Sequence, residues 1–322
     1  MASTRACSSS IDGRWTTGRH ARRREPRRGA VARSLSAWTK EIDREASSFG
    51  SDLIVEYVAP DAPSRAFAGA TLLIREDAPD AVLSERRDGE GESAGAGGVF
   101  DAFALLPATV DARANEGSMM IGILGFGAGT CARTLLRHHS SVRMVGWELD
   151  PAIVRLARRH FGVEELERSG ALTVETGDAF AMCAASARAF DGLIVDCFDE
   201  NSTVVACLKD RETWAALAKK LKPGGRIIAN VSTGRGRGAR LEDAVACSQA
   251  LADATSNEIT LWRAGACGLW NELALSGPQV DWRRVRASHP SLASLTNDWF
   301  YFSAPRDAAP GSPWLSRELG IE

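Results

Sequence analysis

The sequence predicts an α/β protein in which a small β-rich subdomain precedes a doubly wound parallel sheet. Two observations carry this prediction. From residue 119 onward, short apolar runs alternate with amphipathic helical patterns, which is typical of a parallel sheet covered on both faces. Before residue 90, strand-like segments follow one another without helical patterns between them. The chain has 322 residues, of which 44% are hydrophobic, so it is long enough to bury a sizeable core.

The first part of the chain, residues 1–46, differs in composition from the rest. Its first 40 residues hold ten Lys/Arg and two Asp/Glu, a net charge of +8, whereas the remaining 282 hold 29 basic and 39 acidic residues, a net charge of -10. A segment rich in Arg and Ser and poor in acids predicts an organelle transit peptide, with the Met-Ala-Ser start favouring a plastid (chloroplast) over a mitochondrion. The alternative is a solvated basic tail on a cytoplasmic protein.

The charge distribution, the cysteines and the apolar runs of the sequence limit the kinds of ligand and environment that we expect. An acidic body argues against non-specific nucleic-acid binding, which depends on neutralising phosphates. The seven cysteines form no CxxC, and no His/Cys cluster has the spacing of a metal site, so we expect no metal and a reducing compartment. No apolar run approaches the roughly 18–20 residues of a membrane-spanning helix, so we expect no membrane span.

Residues 47–115 are predicted to form the β-rich subdomain. Two apolar segments, Leu53–Val58 and Ala70–Arg75, have the composition of strands, and Ala81–Glu85 is a candidate for a third. The Gly-rich stretch from Gly89 to Gly98 has no apolar periodicity and predicts a mobile loop.

Residues 116–280 are predicted to form the doubly wound domain. Asp150 and Pro151 are a good helix start, because Asp caps helix N-termini and Pro suits the first turn. The predicted helices are Thr130–His138, one beginning at Pro151, Glu212–Leu221 and Leu241–Ala254. The predicted strands are Met119–Leu124, Val142–Trp147, Ala171–Glu175, Gly192–Val195, Arg226–Val231, Glu258–Trp262 and Glu272–Leu275. Residues 281–322 follow as a Trp-rich tail that we expect to pack on the body.

A glycine-rich turn is the strongest chemical feature of the sequence. Gly125-Phe126-Gly127-Ala128-Gly129 lies between the first strand and the first helix of the doubly wound domain. Glycines at such a turn let the backbone approach a ligand closely, next to a helix N-terminus. The spacing Gly-x-Gly-x-Gly differs from the Gly-x-Gly-x-x-Gly of dinucleotide sites, which leaves NAD as a minor alternative.

Two acidic positions follow the next two strands. Glu148 ends the second strand, where an acid in a nucleotide-binding sheet accepts hydrogen bonds from ribose hydroxyls. Gly177-Asp178-Ala179 follows the third strand, where Asp178 could accept from an adenine amino group and Ala179 would leave room for the ring. The alternatives are an ordinary loop carboxylate at Glu148 and a turn or helix N-cap at Asp178.

A further pair of acids follows the fourth strand. Asp196 and Asp199 stand at its carboxyl end, where ligands of open α/β sheets bind. Asp196 is the candidate general base, and Asp199 would orient Asp196 or the substrate. The structural alternative for the pair is a strand-end acid that caps Asn201–Thr203, or a solvated loop.

Together these motifs resemble the S-adenosylmethionine-dependent methyltransferase superfamily. Residues 100–276 resemble its spermidine-synthase-like branch, the polyamine synthase fold. The resemblance implies a Rossmann-like methyltransferase sheet of seven strands with the last antiparallel, and it is compatible with a homodimer. It also implies that Asp196 is the amine-activating base and that residues 201–208 form a lid. The implied cofactor-binding residues are Gly125, Phe126, Gly127, Gly129, Glu148, Asp178 and Ala179.

The sequence departs from this family at two positions. Aminopropyltransferases carry an Asp where this chain has Ala128, and a Tyr-His-Glu-like segment where it has Phe100-Asp101-Ala102, with Asp101 as a candidate substitute for the missing acid. Because a cationic polyamine needs several acceptors, these departures weigh against spermidine synthesis.

The favoured hypothesis is therefore an S-adenosylmethionine-dependent methyltransferase with an unidentified, small-molecule acceptor. The alternatives are a non-enzymatic subunit with a degenerate synthase fold and an aminopropyltransferase that uses decarboxylated S-adenosylmethionine. A Phe126 side chain filling the ligand space would favour the non-enzymatic alternative. We interpret His138 and His139 as structural or surface residues, because they end a helix and have no metal ligands nearby in sequence.

Overall fold

A computed structural model describes the chain at residues 37–63, 67–87, 98–110, 118–199, 201–232, 239–263, 271–305, 308–309 and 312–319. The predicted loop at 89–98 lies outside these residues, except for Gly98. Residues 1–36 of the predicted transit peptide also lie outside them. No helix in the described part of the chain is long and apolar enough to cross a membrane.

The first sheet is a four-stranded antiparallel meander in the order β1-β2-β3-β4. Its strands are β1 (Thr39–Glu45), β2 (Leu53–Val58), β3 (Ala70–Arg75) and β4 (Ala78–Arg87). The alternation along β2 gives the sheet two apolar faces. Leu53 and Val55 join the main core, whereas Ile54 and Val58 form a small cluster on the other face.

The position of β1 corrects the predicted boundary of the transit peptide. Residues 39–45 lie in the segment that was expected to be outside the fold, yet they form the outer strand of this sheet. Side chains of β1 also pair with the body: Glu45 with Arg155, and Asp43 with His160 and Arg159. The folded unit therefore begins by Thr39.

Two short helices connect the sheets, α1 (Val99–Phe103) and α2 (Leu106–Thr109). Phe103, Leu105 and Leu106 are buried in the main core. These helices therefore pack on the second sheet, although the sequence placed them in the β-rich subdomain.

The second sheet has eight strands in the order β12-β10-β11-β9-β8-β5-β6-β7. Neighbouring strands from β9 to β7 run parallel, whereas β11, β10 and β12 pair antiparallel to their neighbours. The strands are β5 (Met120–Leu124), β6 (Arg143–Glu148), β7 (Leu172–Thr176), β8 (Phe190–Val195), β9 (Leu221–Ser232), β10 (Glu258–Arg263), β11 (Glu272–Ser276) and β12 (Trp299–Ser303).

The sheet has one strand more than the seven that the resemblance implied. The seventh, β11, is antiparallel to β9 as expected. The eighth, β12, comes from the Trp-rich tail and adds to the free edge of β10, where Trp262 pairs with Trp299 and their rings stack. The strand predicted at 226–231 also begins earlier, at Leu221, because the Pro223-Gly224-Gly225 segment is part of β9.

Helices cover both faces of the second sheet and divide the core. They are α3 (Thr130–His138), α4 (Pro151–His160), α5 (Val163–Arg168), α6 (Ala179–Ala185), α7 (Arg211–Ala218), α8 (Ala239–Thr255), α9 (Trp282–Ser288) and α10 (Trp314–Glu318). One face packs under α1, α2, α3, α4 and α9, and the other packs under α6, α7, α8 and α10. This arrangement is the doubly wound one that the sequence predicted.

Candidate active site at the carboxyl ends of the strands

The carboxyl ends of four neighbouring parallel strands bring the predicted motifs to one edge of the sheet. The glycine turn follows β5, Glu148 ends β6, Gly177 and Asp178 follow β7, and Asp196 follows β8. Because parallel strands end at the same edge, motifs separated by up to about 70 residues meet there.

The glycine turn lies directly against the chain that follows β8. Gly125 has a φ of +79°, and a Cβ at that position would overlap the carbonyl oxygen of Asp196. The amide of Asp196 donates to the Leu124 carbonyl at 2.9 Å. Only glycine fits at residue 125, and the turn is thereby fixed beside the predicted base.

Each backbone amide of the turn has an acceptor within the chain. The amides of Gly125 and Phe126 donate to the Trp147 carbonyl at 3.1 and 3.0 Å, and that of Gly129 donates to the Phe126 carbonyl at 3.3 Å. The amide of Gly127 donates to Glu148 Oε2 at 2.8 Å. The amide of Ala128 donates to Ser84 Oγ at 2.8 Å.

The Phe126 side chain lies in the core beneath the turn. Its ring packs against Gly146 of β6, where a Cβ would overlap it, and against Gly129. The residue is 3% exposed and belongs to the main hydrophobic core. The ring therefore anchors the turn from below, and it does not fill the space outside the strand ends.

Glu148 is a buried carboxylate that organises the backbone around it. Its two oxygens accept from the amides of Gly127 and Asp150 at 2.8 and 3.0 Å. Burial raises the pKa of Glu148, although the hydrogen bonds from these amides oppose the rise. Each carboxylate oxygen has a second lone pair, so Glu148 can still accept from ribose hydroxyls.

Asp178 is the N-cap of α6. Its Oδ1 accepts from the amides of Phe180 and Ala181 at 2.9 and 3.2 Å, and the residue is exposed. Ala179, the first residue of α6, is buried beside it. The structural alternative for Asp178 is thus realised, while its other carboxylate oxygen, Oδ2, accepts no hydrogen bond from the described residues and remains available to an adenine amino group.

Asp196 is held at the end of β8 by a residue of the next strand. The side-chain amide of Asn230, on β9, donates to Asp196 Oδ1 at 2.8 Å. Burial raises the pKa of Asp196 to about 6, and the hydrogen bond from Asn230 partly offsets the rise. A carboxyl group with this pKa can exchange a proton near neutral pH, as a general base requires.

Asp199 lies in the turn that follows Asp196. Its Oδ1 accepts from the amides of Asn201 and Thr203 at 2.9 and 2.8 Å, and Phe198 forms an isolated bridge with Val204. This is the turn-capping alternative for Asp199. The predicted lid at residues 201–208 begins here and ends with the buried Leu208, whose carbonyl accepts from the Trp214 indole at 2.7 Å.

The sequence analysis missed a contact between the first sheet and the glycine turn. Ser84 of β4 is buried and sits above Ala128 and Gly127. The next residue, Glu85, exchanges two hydrogen bonds of 2.9 Å with the Thr130 hydroxyl, one through its amide and one through its carbonyl. Arg133 donates to the carbonyls of Glu85 and Ala128 at 2.6 and 3.0 Å. Ser84 and Glu85 are 44 or more positions from the residues that they contact, so no local spacing in the sequence could have predicted the contact.

The structure also describes the two places where the sequence departs from aminopropyltransferases, Ala128 and the segment from Phe100 to Ala102. Ala128 is fully buried below Ser84, so no charged group stands at that point of the turn. Asp101 lies on α1 and is 4% exposed, and Phe100 packs edge-on against Phe103.

The two adjacent histidines lie at the opposite edge of the sheet, where α3 ends. His138 Nδ1 is 3.0 Å from Ser291 Oγ, and His139 Nε2 is 2.8 Å from the Ala104 carbonyl oxygen. Burial lowers the pKa of both imidazoles, which keeps them neutral at pH 7. Both rings therefore have the structural role that was expected. Within the described ranges, no three His, Cys, Asp or Glu side chains are grouped to hold a metal ion.

Comparison with known proteins agrees with this geometry. The spermine/spermidine synthase domain family matches residues 109–234. The chain is 30% identical over 139 residues to a polyamine aminopropyltransferase of Mycobacterium tuberculosis, covering 41% of this chain and 26% of that protein. It is 28% identical over 201 residues to a probable polyamine aminopropyl transferase of Bifidobacterium longum, covering 62% of this chain and 39% of that protein. The alignments thus span about a quarter to two fifths of the length of these relatives.

Two solved structures share the fold at low sequence identity. A probable spermidine synthase from Corynebacterium glutamicum superposes with a TM-score of 0.57 at 17% identity, over 87% of this chain and 93% of that one. A spermidine synthase from Thermotoga maritima superposes with a TM-score of 0.55 at 14% identity, over 88% of each chain. Residues 109–234 of this chain are therefore similar to a spermine/spermidine synthase domain, and the described part of the chain shares the Rossmann-like α/β fold of these two structures.

Proposed function

We propose that this chain is an aminopropyltransferase that takes decarboxylated S-adenosylmethionine as donor and a primary amine as acceptor. The observation that carries the proposal is the half-buried carboxylate of Asp196, which Asn230 holds at the point where the Asp196 backbone lies against the Gly125 turn. The names of the curated relatives support aminopropyl transfer over the methyl transfer that the sequence analysis favoured.

The donor half of the site suits an adenosyl sulfonium. Glu148 would accept from the ribose hydroxyls and Asp178 from the adenine amino group, while the glycine turn would let the sulfonium end approach the backbone. In this arrangement the carbon next to the sulfonium would lie on the side of the turn that faces Asp196.

The transfer step is an in-line displacement. An ammonium acceptor first loses a proton to the Asp196 carboxylate. The nitrogen lone pair then attacks the propyl carbon next to the sulfonium, so a C–N bond forms as the C–S bond breaks and the electron pair passes to sulfur. The products are a secondary ammonium, which keeps the two remaining N–H protons and the positive charge, and a neutral thioether, while the first proton stays on Asp196 until solvent takes it. Because the donor is already activated, positioning and proton removal are the protein's main tasks.

A second candidate, methyl transfer from S-adenosylmethionine, is favoured by one observation. The buried Ala128 leaves that point of the turn without the acid that would pair with the aminopropyl ammonium. In this case the acceptor would be the same amine or a hydroxyl, again deprotonated by Asp196.

A product assay separates the two candidates. The full chain is incubated with either donor and a diamine such as putrescine, and the acceptor is analysed by mass spectrometry. The proposal expects a gain of one aminopropyl group, only with the decarboxylated donor. Gain of a methyl group from S-adenosylmethionine would establish the second candidate, and calorimetric titration showing no binding of either donor would favour a non-enzymatic subunit.

Matched variants test whether the product comes from this chain and not from a contaminating transferase. Asp196→Asn should abolish product while leaving donor binding intact. Asp298→Asn is the control, because Asp298 is an exposed residue with a φ of +63°, a conformation that Asn also tolerates. Equal product from wild type and Asp196→Asn would overturn the proposal.

A further inference from the structure

Asn230 has an unusual environment for an amide side chain. It is 2% exposed, and it lies on β9 directly after Ala229, which is the register partner of Val195 on β8. Its Nδ2 donates to Asp196 Oδ1, but its own Oδ1 is buried and has no hydrogen-bond partner among the described residues. Leaving an amide oxygen buried without a hydrogen bond has a cost in folding free energy. An apolar residue would avoid this cost, so the amide needs a reason to be there.

The hydrogen bond distinguishes the two oxygens of the carboxylate. Oδ1 of Asp196 is occupied by the Asn230 amide, whereas Oδ2 accepts from none of the described groups. The Asp196 amide is also fixed, by its bond to the Leu124 carbonyl. The Asp196 backbone and one of its carboxylate oxygens are therefore each held by a hydrogen bond, which leaves the other oxygen for chemistry.

We infer that Asn230 is a positioning residue for the proposed transfer: it holds Asp196 Oδ1 so that Oδ2 faces the acceptor amine and takes its proton. This inference rests on the proposed function for the identity of the acceptor.

Two thiols near Asp196 do not take over the hydrogen bond that Asn230 gives to its carboxylate. The thiols of Cys131, on α3, and Cys197 both feel the Asp196 charge, and burial raises the pKa of each well above its ordinary value, so both stay neutral. Burial and the Asn230 hydrogen bond are the influences on the Asp196 carboxyl. Since the amide favours the charged carboxylate, removing it should raise the pKa of Asp196.

The test compares Asn230→Leu, which has similar size and no amide, with Asn230→Gln, which keeps the amide on a longer stem. Two quantities are measured: the pH profile of kcat, and the titration of the Asp196 carboxyl by carbon NMR of the ligand-free chain. The NMR signal is assigned as the one lost in Asp196→Asn. Thr260→Val is the control, because Thr260 is another buried residue of the same sheet whose hydroxyl lacks a partner among the described residues.

We expect Asn230→Leu to lower kcat about tenfold or more and to move the acidic limb of the profile upward by about one pH unit, the effect of losing one hydrogen bond to a charged group. The KM for the donor should change less than twofold. Asn230→Gln should recover part of the loss, and Thr260→Val should resemble wild type. An Asp196 midpoint that does not move in Asn230→Leu would overturn the inference. If Asn230→Leu does not fold, Asn230→Ala, which also lacks the amide, replaces it, and an unmoved midpoint there would overturn the inference.

The NMR titration needs no turnover, so it separates this inference from the proposed function. A shifted midpoint in a chain that transfers nothing would support the hold on Asp196 and reject aminopropyl transfer. An unshifted midpoint in a chain that transfers the aminopropyl group would reject the hold on Asp196 and support aminopropyl transfer.

Discussion

The two halves of the candidate site are built in different ways. On the donor side, short motifs at the ends of β5, β6 and β7 supply the turn, Glu148 and Asp178, each placed by its own strand. On the acceptor side, Asp196 depends on a partner 34 residues away, Asn230. The donor side is thus defined by local sequence and the acceptor side by packing between strands. This difference teaches that intact donor motifs say little about which acceptor is used.

The largest effect should come from the acceptor side. Asp196→Asn keeps the shape and the contact with Asn230 but removes the base, so kcat should fall by about 10²–10⁴-fold, the usual contribution of a general base. Donor affinity measured by calorimetry should stay within about twofold of wild type, as expected if the halves are independent. A parallel loss of donor affinity would break the comparison.

The next effect concerns the contact between the first sheet and the turn. Ser84→Ala leaves the buried Ala128 amide without its acceptor, which should cost about 1–3 kcal/mol of unfolding free energy in urea denaturation. Ser169→Ala, at an exposed hydroxyl, should change stability by less than about 0.5 kcal/mol. Equal stability of the two variants would show that the turn holds itself without β4.

A smaller effect tests the ribose role on the donor side. Glu148→Ala should weaken donor binding at least tenfold, about 1.4 kcal/mol, because the ribose hydroxyls lose their acceptor. Glu164→Ala on α5, an exposed residue, is the control. Since the amides of Gly127 and Asp150 also lose an acceptor, urea denaturation must show that the variant is folded at the assay temperature. Unchanged affinity in a folded variant would remove the ribose assignment.

The smallest effect lies at the contact of β1 with α4, far from both halves. Burial acts to raise the pKa of Asp43, but the hydrogen bonds from His160 and the Arg44 amide and the charge of Arg159 outweigh it, so the pKa is lowered. A carboxyl group whose pKa is lowered by folding stabilises the folded chain at pH values above its ordinary pKa of 3.8. This stabilisation is lost as the pH falls through the pKa that the group has in the folded state. Asp43→Asn should therefore cost less than about 1 kcal/mol at pH 7, and this cost should shrink as the pH falls below 3.8 and disappear once Asp43 is protonated in the folded chain. A cost that persists in acid would contradict the ionic explanation.

The sequence predicted the parts of the fold that local patterns encode. The helix at 130–138 and the strands ending in Leu124 and Val195 fall where apolar periodicity placed them. The contact of Ser84 with Ala128 and that of Asn230 with Asp196 could not be predicted, because each depends on the register between distant strands. The eighth strand, Trp299–Ser303, was missed because its run of aromatics has no period-two alternation.

The closed set of hydrogen bonds in the glycine turn has a thermodynamic consequence. With each amide from Gly125 to Gly129 already bonded inside the chain, and the Phe126 ring set into the core, the turn needs little ordering when a donor arrives. A preorganised site loses little conformational entropy on binding, so more of the contact energy with the adenosyl group would appear as affinity. The donor side would then be rigid and preformed even without a ligand. The backbone amides of the glycine turn would accordingly exchange slowly with solvent deuterium.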